Sequence, residues 1–390
     1  MKNLKRPPVQ KSTAKQAPPL ARKAAPLKAA AKPVAAKKPL PKSPSGGAAP
    51  VNKAATAPKT PAAPKAAPAP KAHAHPENTI AAWENDPESG LKLAHRSAPT
   101  LSLGPLPLQI RGEAPKPGVY TPGTENFRYW NASDALRRAR ELWKPFLPDN
   151  LQWHSGTPLE VDIDGTEDLN AYYDRKTLSF FRGTVKGRLI HTADSPDIVA
   201  HEFGHAVLDA LRPDLWDAAL DEVAAFHESF GDITALLSTL QLESVCEHVI
   251  KETGGLIYQS STLSRLAAQF GKAVHDLNSG SAPPDCLRNA VNSFFYREPM
   301  HLPPMAPHSE LSSEPHSFSR VFTSGFFEAM AGMLKVHSAH PTAADLLQVS
   351  KDAAAILAKA VRTAALSAAF YSEVAAQIIW ADAALFAGKY

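Results

Sequence analysis

His201-Glu202-Phe203-Gly204-His205 sets two imidazoles four positions apart, with a carboxylate beside the first. On a helix, positions i and i+4 share one face about a turn apart, so both rings can reach a single tetrahedral Zn2+. Glu202, next to the first ligand, can then take a proton from a water on that metal. Two histidines on a solvated helix give the same five-residue pattern by chance. Here Val199 and Ala200 precede it and Ala206, Val207 and Leu208 follow, all apolar. The helix therefore belongs to the core and carries a polar stripe, and a buried polar stripe must be paired or coordinated.

A third ligand should be a carboxylate on a neighbouring helix. Glu228-Ser-Phe-Gly-Asp232 offers one, 23 positions after His205 and again between apolar flanks, Val223 to Phe226 and Ile233 to Leu237. Glu228 and Asp232 lie on one face, where two like charges are unfavourable unless a cation answers them. Glu228 is expected to bind the metal and Asp232 to orient an imidazole through its second nitrogen. His227 points about a quarter turn away and reads as packing, or as support behind the ligands.

With these residues in view, the sequence resembles the thermolysin-like gluzincins, HExxH…ExxxD zinc metallopeptidases. Asn170-Ala171-Tyr172-Tyr173 is similar to the family's edge segment, in which the Asn side chain and Ala carbonyl hold the substrate backbone. Asp197 to Glu202 is similar to the start of the family's zinc helix. His316-Ser-Phe-Ser-Arg-Val-Phe322 resembles the segment whose histidine stabilises the oxyanion, which implies that role for His316. The likeness spans about residues 130–390 and is concentrated in 168–234. The family's oxyanion tyrosine is missing between His205 and Glu228, and Tyr258, Tyr172 or Tyr173 would have to replace it. Leu311 stands where an acid usually supports the histidine, with Glu310 and Glu314 nearby. Ile233 to Leu242 contains no carboxylate, so the family's calcium cluster is absent and calcium dependence is doubtful.

The resemblance implies a two-lobed α+β fold. Residues 77–215 would form an N-terminal lobe with a small twisted sheet and the zinc helix, and residues 216–390 a mainly helical lobe carrying the third ligand. It also implies hydrolysis of internal bonds in a polypeptide substrate. Residue patterns place the elements. Cap residues in Asn131-Ala-Ser-Asp134 and helical spacing of Ala135, Ala139, Leu142 and Trp143 predict a helix. Strands are expected within 101–110 and over 159–164, 171–173, 177–181 and 189–191. Ser195-Pro196-Asp197 supplies a cap, a first-turn proline and an acid for the zinc helix, which Arg212-Pro213 ends. A second helix is expected over 220–240 and another near 264–277, with helices from Phe318 onwards broken near His340-Pro341. The remainder of 76–125 reads as a Pro-rich connecting segment.

Charge divides the chain sharply. Sixteen of the 42 Lys and Arg lie in residues 1–71 with no acid, leaving 26 against all 38 acids, a net of −12. The segment 1–76 is rich in Ala, Pro and Lys, lacks aromatic residues, and is expected to be a disordered basic tail. It reads as a solvated spacer, as an arm that would meet polyanions such as nucleic acid or anionic lipid without sequence preference, or as a delivery signal read by other machinery. Two cysteines, Cys246 and Cys286, make no disulfide framework and read as two buried thiols, although pairing stays open. Pro7-Pro8 interrupts the place where a signal peptide needs its apolar run, and no stretch is long enough to span a bilayer. A soluble body is expected, with its compartment unknown. Two rival readings remain beside a peptidase: a zinc-binding structural or interaction protein without turnover, and a polyanion-binding protein that works through its tail.

Overall fold

A computed structural model describes residues 77–104, 106–156 and 158–390. The expected basic tail lies outside them. The first described segment, expected as a connector, holds a hairpin instead. Strands β1 (Thr79–Trp83) and β2 (Leu93–Ser97) pair antiparallel, and Ile80 and Ala82 pack on Trp130. Five-residue strands among prolines carry too little alternation to be read from pattern. Within 101–110 only β3 (Leu108–Ile110) is a strand.

Helix α1 (Glu125–Trp143) begins a turn and a half before the expected cap. Thr124 caps it by accepting from the Phe127 N–H. Asn131, Ser133 and Asp134 are polar for a different reason: they sit buried in mid-helix, Ser133 donating back to the Tyr129 carbonyl and the other two reaching beyond the helix. Asn131 accepts from the Trp83 N–H and donates to the Asp194 carbonyl, while Asp134 pairs with Arg96, Arg137 and Arg138.

Strands β4 (Leu159–Asp162), β5 (Ala171–Tyr173) and β6 (Thr177–Phe180) join β3 in a sheet of order β3-β4-β6-β5. The first three run parallel, and β5 returns antiparallel as an edge. Asp174 closes the turn between β5 and β6 by accepting from the N–H groups of Lys176 and Thr177. A second hairpin, β7 (Arg182–Val185) with β8 (Arg188–His191), follows.

Beyond it the chain is mainly helical: α2 (Pro196–Leu211), the single turn α3 (Pro213–Trp216), α4 (Asp221–Thr239), α5 (Glu243–Thr253), α6 (Ala268–Leu277), α7 (Pro315–His337), α8 (Ala343–Thr363) and α9 (Phe370–Phe386). Two short strands, β9 (Arg265–Leu266) and β10 (Arg288–Asn289), pair around α6. The fold is α+β, with its larger sheets before α2 and helices after it. One apolar cluster runs from Leu101 to Ala381, across the expected division at 215/216. No described helix is long and apolar enough to cross a membrane. Cys246 and Cys286 are buried free thiols.

The site depends on the packing of α2 along α4. Two glycines meet there. A Cβ on Gly204 would stand 2.8 Å from the Thr234 hydroxyl oxygen, and one on Gly231 would stand 2.7 Å from the His201 ring. Trp143 of α1 stacks on Phe230 with ring centroids 4.8 Å apart, and its indole N–H donates to Thr234 at 3.2 Å. Three helices are thereby keyed together beneath the polar stripe.

Candidate metal centre

Ser195 stands at the N-cap position of α2, but its hydroxyl donates to Asp86 at 2.7 Å rather than capping the helix. Two turns on, His201 and His205 present their rings to α4, 4.8 Å apart and edge to face. Both are buried, as is Glu228 on the facing helix. Nε2 of His201 lies 3.4 Å from Oε2 of Glu228, and Nε2 of His205 lies 3.7 Å from Oε1. Donor atoms of the three residues all lie within 4.8 Å of one another. Nε2 of His201 and Oε2 of Glu228 are buried without a hydrogen-bond partner.

Buried polar atoms that converge without bonding need something between them. A tetrahedral ion with bonds of 2.0–2.1 Å has donor–donor edges of about 3.3 Å. Two neutral imidazoles and a carboxylate form a donor set suited to zinc. On spacing and chemistry alike, His201, His205 and Glu228 fit that ion.

The charges behind the triad form a chain. Nδ1 of His201 is 3.0 Å from Oδ1 of Asp232, and the Arg288 guanidinium of β10 grips both oxygens of Asp232, at 2.8 and 2.6 Å. Burial pushes the Asp232 carboxyl up, but Arg288 and His201 outweigh it and hold it near 2. Asp232 thus stays a carboxylate and keeps the His201 Nδ1 proton facing it, which turns Nε2 towards Glu228. Sequence reasoning missed Arg288. Its signal, a lone arginine in a loop-rich stretch, cannot be told from a surface cation until β9 and β10 fold it inward.

Glu202 is buried beside the first ligand. Burial raises its carboxyl to about 7 and Glu228 adds to this, while His201, His316 and Arg288 pull the other way. A carboxylate so placed can both take up and return a proton near neutral pH.

His316, in the first turn of α7, reaches the same place from the other side, with Nε2 3.3 Å from Oε2 of Glu228. Its Nδ1 meets Glu314 at 2.5 Å, and the other oxygen of Glu314 caps α7 by accepting from the Ser317 N–H. Burial disfavours the imidazolium, but Glu228 and Glu314 outweigh it and raise the His316 pKa. Glu314, rather than the residue at 311, is the acid that holds the histidine.

Ala171 starts, and Asn170 immediately precedes, the edge strand β5, which packs on α2. Asn170 is buried, and its Oδ1 accepts from the Ala171 N–H at 3.0 Å. Of the three tyrosines weighed for the oxyanion, Tyr258 bonds Ser324 at 2.7 Å and Tyr173 donates to Asp209 at 3.0 Å, while the Tyr172 ring packs on Phe181. His227 packs between the His205 ring, 5.9 Å away, and Trp216.

A cavity of about 370 Å3 opens beside the triad, lined by His316, which meets Glu228, by Glu314 behind it, and by Arg288, which pairs with Asp232. Met305 lines it and is exposed, as are Phe295 and Met300 in the same stretch of chain.

No family model matches the chain, and no curated protein matches it significantly in sequence. Among solved structures, it is similar to the precursor of protealysin, a metalloproteinase from Serratia proteamaculans. That pair has 16% identity and a TM-score of 0.42, covering 71% of this chain and 81% of the other.

Proposed function

We propose that this chain is a zinc-dependent endopeptidase, in which His201, His205 and Glu228 hold the metal. The observation that carries the reading is the convergence of three buried donor groups, His201, His205 and Glu228, with a buried carboxylate, Glu202, and the imidazole of His316. When bound, zinc supplies Lewis acidity to a peptide carbonyl and to an attacking water. Glu202 takes the proton from that water and returns it to the leaving amine. His316, whose Nδ1 is held by Glu314, donates from Nε2 to the oxyanion as charge develops there. Asp232 and Arg288 keep His201 in one tautomer and orientation. Asn170 and Ala171, at the open edge of the sheet, are the proposed hold on the substrate backbone, by the strand-addition mode in which an extended peptide bonds to a free edge.

The decisive experiment measures zinc content and casein cleavage before and after chelation, in the parent and in Glu202→Gln. The variant should keep stoichiometric zinc while turnover falls by about 10²- to 10⁴-fold, because an amide cannot accept the proton. Undiminished cleavage by zinc-loaded Glu202→Gln would overturn the mechanism. A second reading, a zinc-binding protein without turnover, is favoured by one observation: Tyr173 and Tyr258 have their hydroxyls engaged with Asp209 and Ser324. Full zinc occupancy with no cleavage of any unfolded protein would select it.

A further inference from the structure

The wall of the cavity beside the triad contains a positive charge that the protein leaves unmatched. Two arginines line that cavity. Arg288 has both oxygens of Asp232. Arg320, one turn beyond His316 on α7, has only neutral partners. Its Nε donates to the Ser317 carbonyl and one terminal nitrogen to the His308 carbonyl. The other donates to the Glu310 carbonyl and to Ser317 Oγ, at 2.6 and 2.7 Å. The guanidinium lies 4.2 Å over the Phe294 ring. A guanidinium has five N–H donors, so these four bonds leave one donor free, and among the described residues no carboxylate forms an ion pair with it. Glu314 acts on it only from beyond ion-pair contact, with its own oxygens committed to His316 and Ser317. Burial, with the like charge of Arg288, pulls the Arg320 pKa down to about 10, as expected of an under-compensated cation.

We propose that Arg320 makes this cavity a carboxylate pocket that selects polypeptides with an acidic group next to the bond presented to the triad. The proposal rests on the peptidase reading and names its substrate class. The group is an Asp or Glu side chain, or the carboxylate that ends the substrate. The shape suits one side chain: about 370 Å3 is near the small end of ligand pockets. The buried apolar floor of Phe270 and Val274 takes the methylenes of a glutamyl side chain, and Arg320 meets its head. In a half-buried site such a charge-assisted bond is stronger than at an open surface.

The test uses binding, so that it is separate from turnover. Full-length, zinc-loaded Glu202→Gln protein is titrated with fluorescein-labelled octapeptides that differ at one position (Glu, Gln, Leu or Lys), each with a free or an amidated C-terminus. Anisotropy should show Glu binding about 10-fold or more tightly than Gln, the size of one charge-assisted hydrogen bond. Adding Arg320→Gln should abolish the difference, and adding Arg320→Lys should keep part of it. A difference between free and amidated ends, without one between Glu and Gln, would assign the pocket to the terminal carboxylate. Equal binding throughout, no binding, tightest binding of the Leu peptide, or a Glu preference that survives Arg320→Gln would each overturn the proposal. Arg320 also ties down the chain at His308 and Glu310, so the comparison of Glu with Gln on the Arg320-containing protein decides by itself if Arg320→Gln fails to fold.

Discussion

Asp232 carries two duties, since one carboxylate orients His201 and neutralises the buried Arg288. Replacing it should therefore cost twice. Asp232→Ala should weaken zinc binding by about 10- to 100-fold, as loss of a group that orients a ligand does. It should also destabilise the fold by about 3–5 kcal/mol, because a buried guanidinium is left without its counter-charge. Glu228→Ala should lose zinc outright and keep the pair of Asp232 with Arg288. Zinc titration and denaturant unfolding of both variants separate these outcomes. If Glu228 proved dispensable for zinc and Asp232 indispensable, the third ligand would have to be reassigned.

At the level of helices, the site depends on how closely α2 approaches α4. Gly204 and Gly231 allow it, since each faces the opposite helix with no room for a methyl group. In an exposed helix, Gly→Ala stabilises by about 0.5–1 kcal/mol. At Gly231 the added carbon meets the His201 ring, so Gly231→Ala should instead destabilise by about 1–3 kcal/mol and lower zinc affinity. Gly332→Ala on α7, where a Cβ meets nothing within 4 Å, is the control and should be neutral or mildly stabilising. Thermal unfolding with zinc titration checks the pair. Unchanged zinc affinity in Gly231→Ala would show that the helices can part without moving the ligands.

For the molecule as a whole, charge is the organising quantity. Residues 1–71 hold 16 cations and no acid, while the rest carries −12. Deleting residues 1–75 should leave zinc content and short-peptide turnover unchanged, since the triad and its supports all lie within 170–320. The same deletion should abolish any salt-sensitive binding to nucleic acid or anionic vesicles that the full chain shows, because the remaining body carries −12 and repels polyanions. In the full chain each cation engaged at a phosphate adds about 0.7–0.9 to the log–log salt slope. Loss of turnover on truncation would make the tail part of the catalytic unit, and polyanion binding that survives both truncation and high salt would place a site on the body.

Helix α2 was readable because its information is local. His201 and His205 share a face through helical spacing, Pro196 and Arg212-Pro213 bracket the helix, and apolar neighbours mark it as buried. Glu228 and Asp232 follow the same rule on α4. The strands from 159 onwards were legible where alternation or aromatic and β-branched residues marked them. Elsewhere polar residues misled. Asn131 to Asp134 look like a cap in sequence, yet they are the buried anchor points of α1 for β1, β2 and the approach to α2. Arg288, in a two-residue strand, and Arg320, on a helix whose period does not report how its charges are paired, could not be read as part of the site, and Glu314 was in view only as one of two acids near His316. Arg288 gained Asp232 only when segments 56 residues apart came together, whereas Glu314 meets His316 and Ser317 within a single turn. Helical periodicity thus sufficed to set His201, His205, Glu228 and Asp232 on the inward faces of two helices, whereas Arg288 behind Asp232 and the pocket beside them arise from long-range packing that leaves no local pattern in the chain.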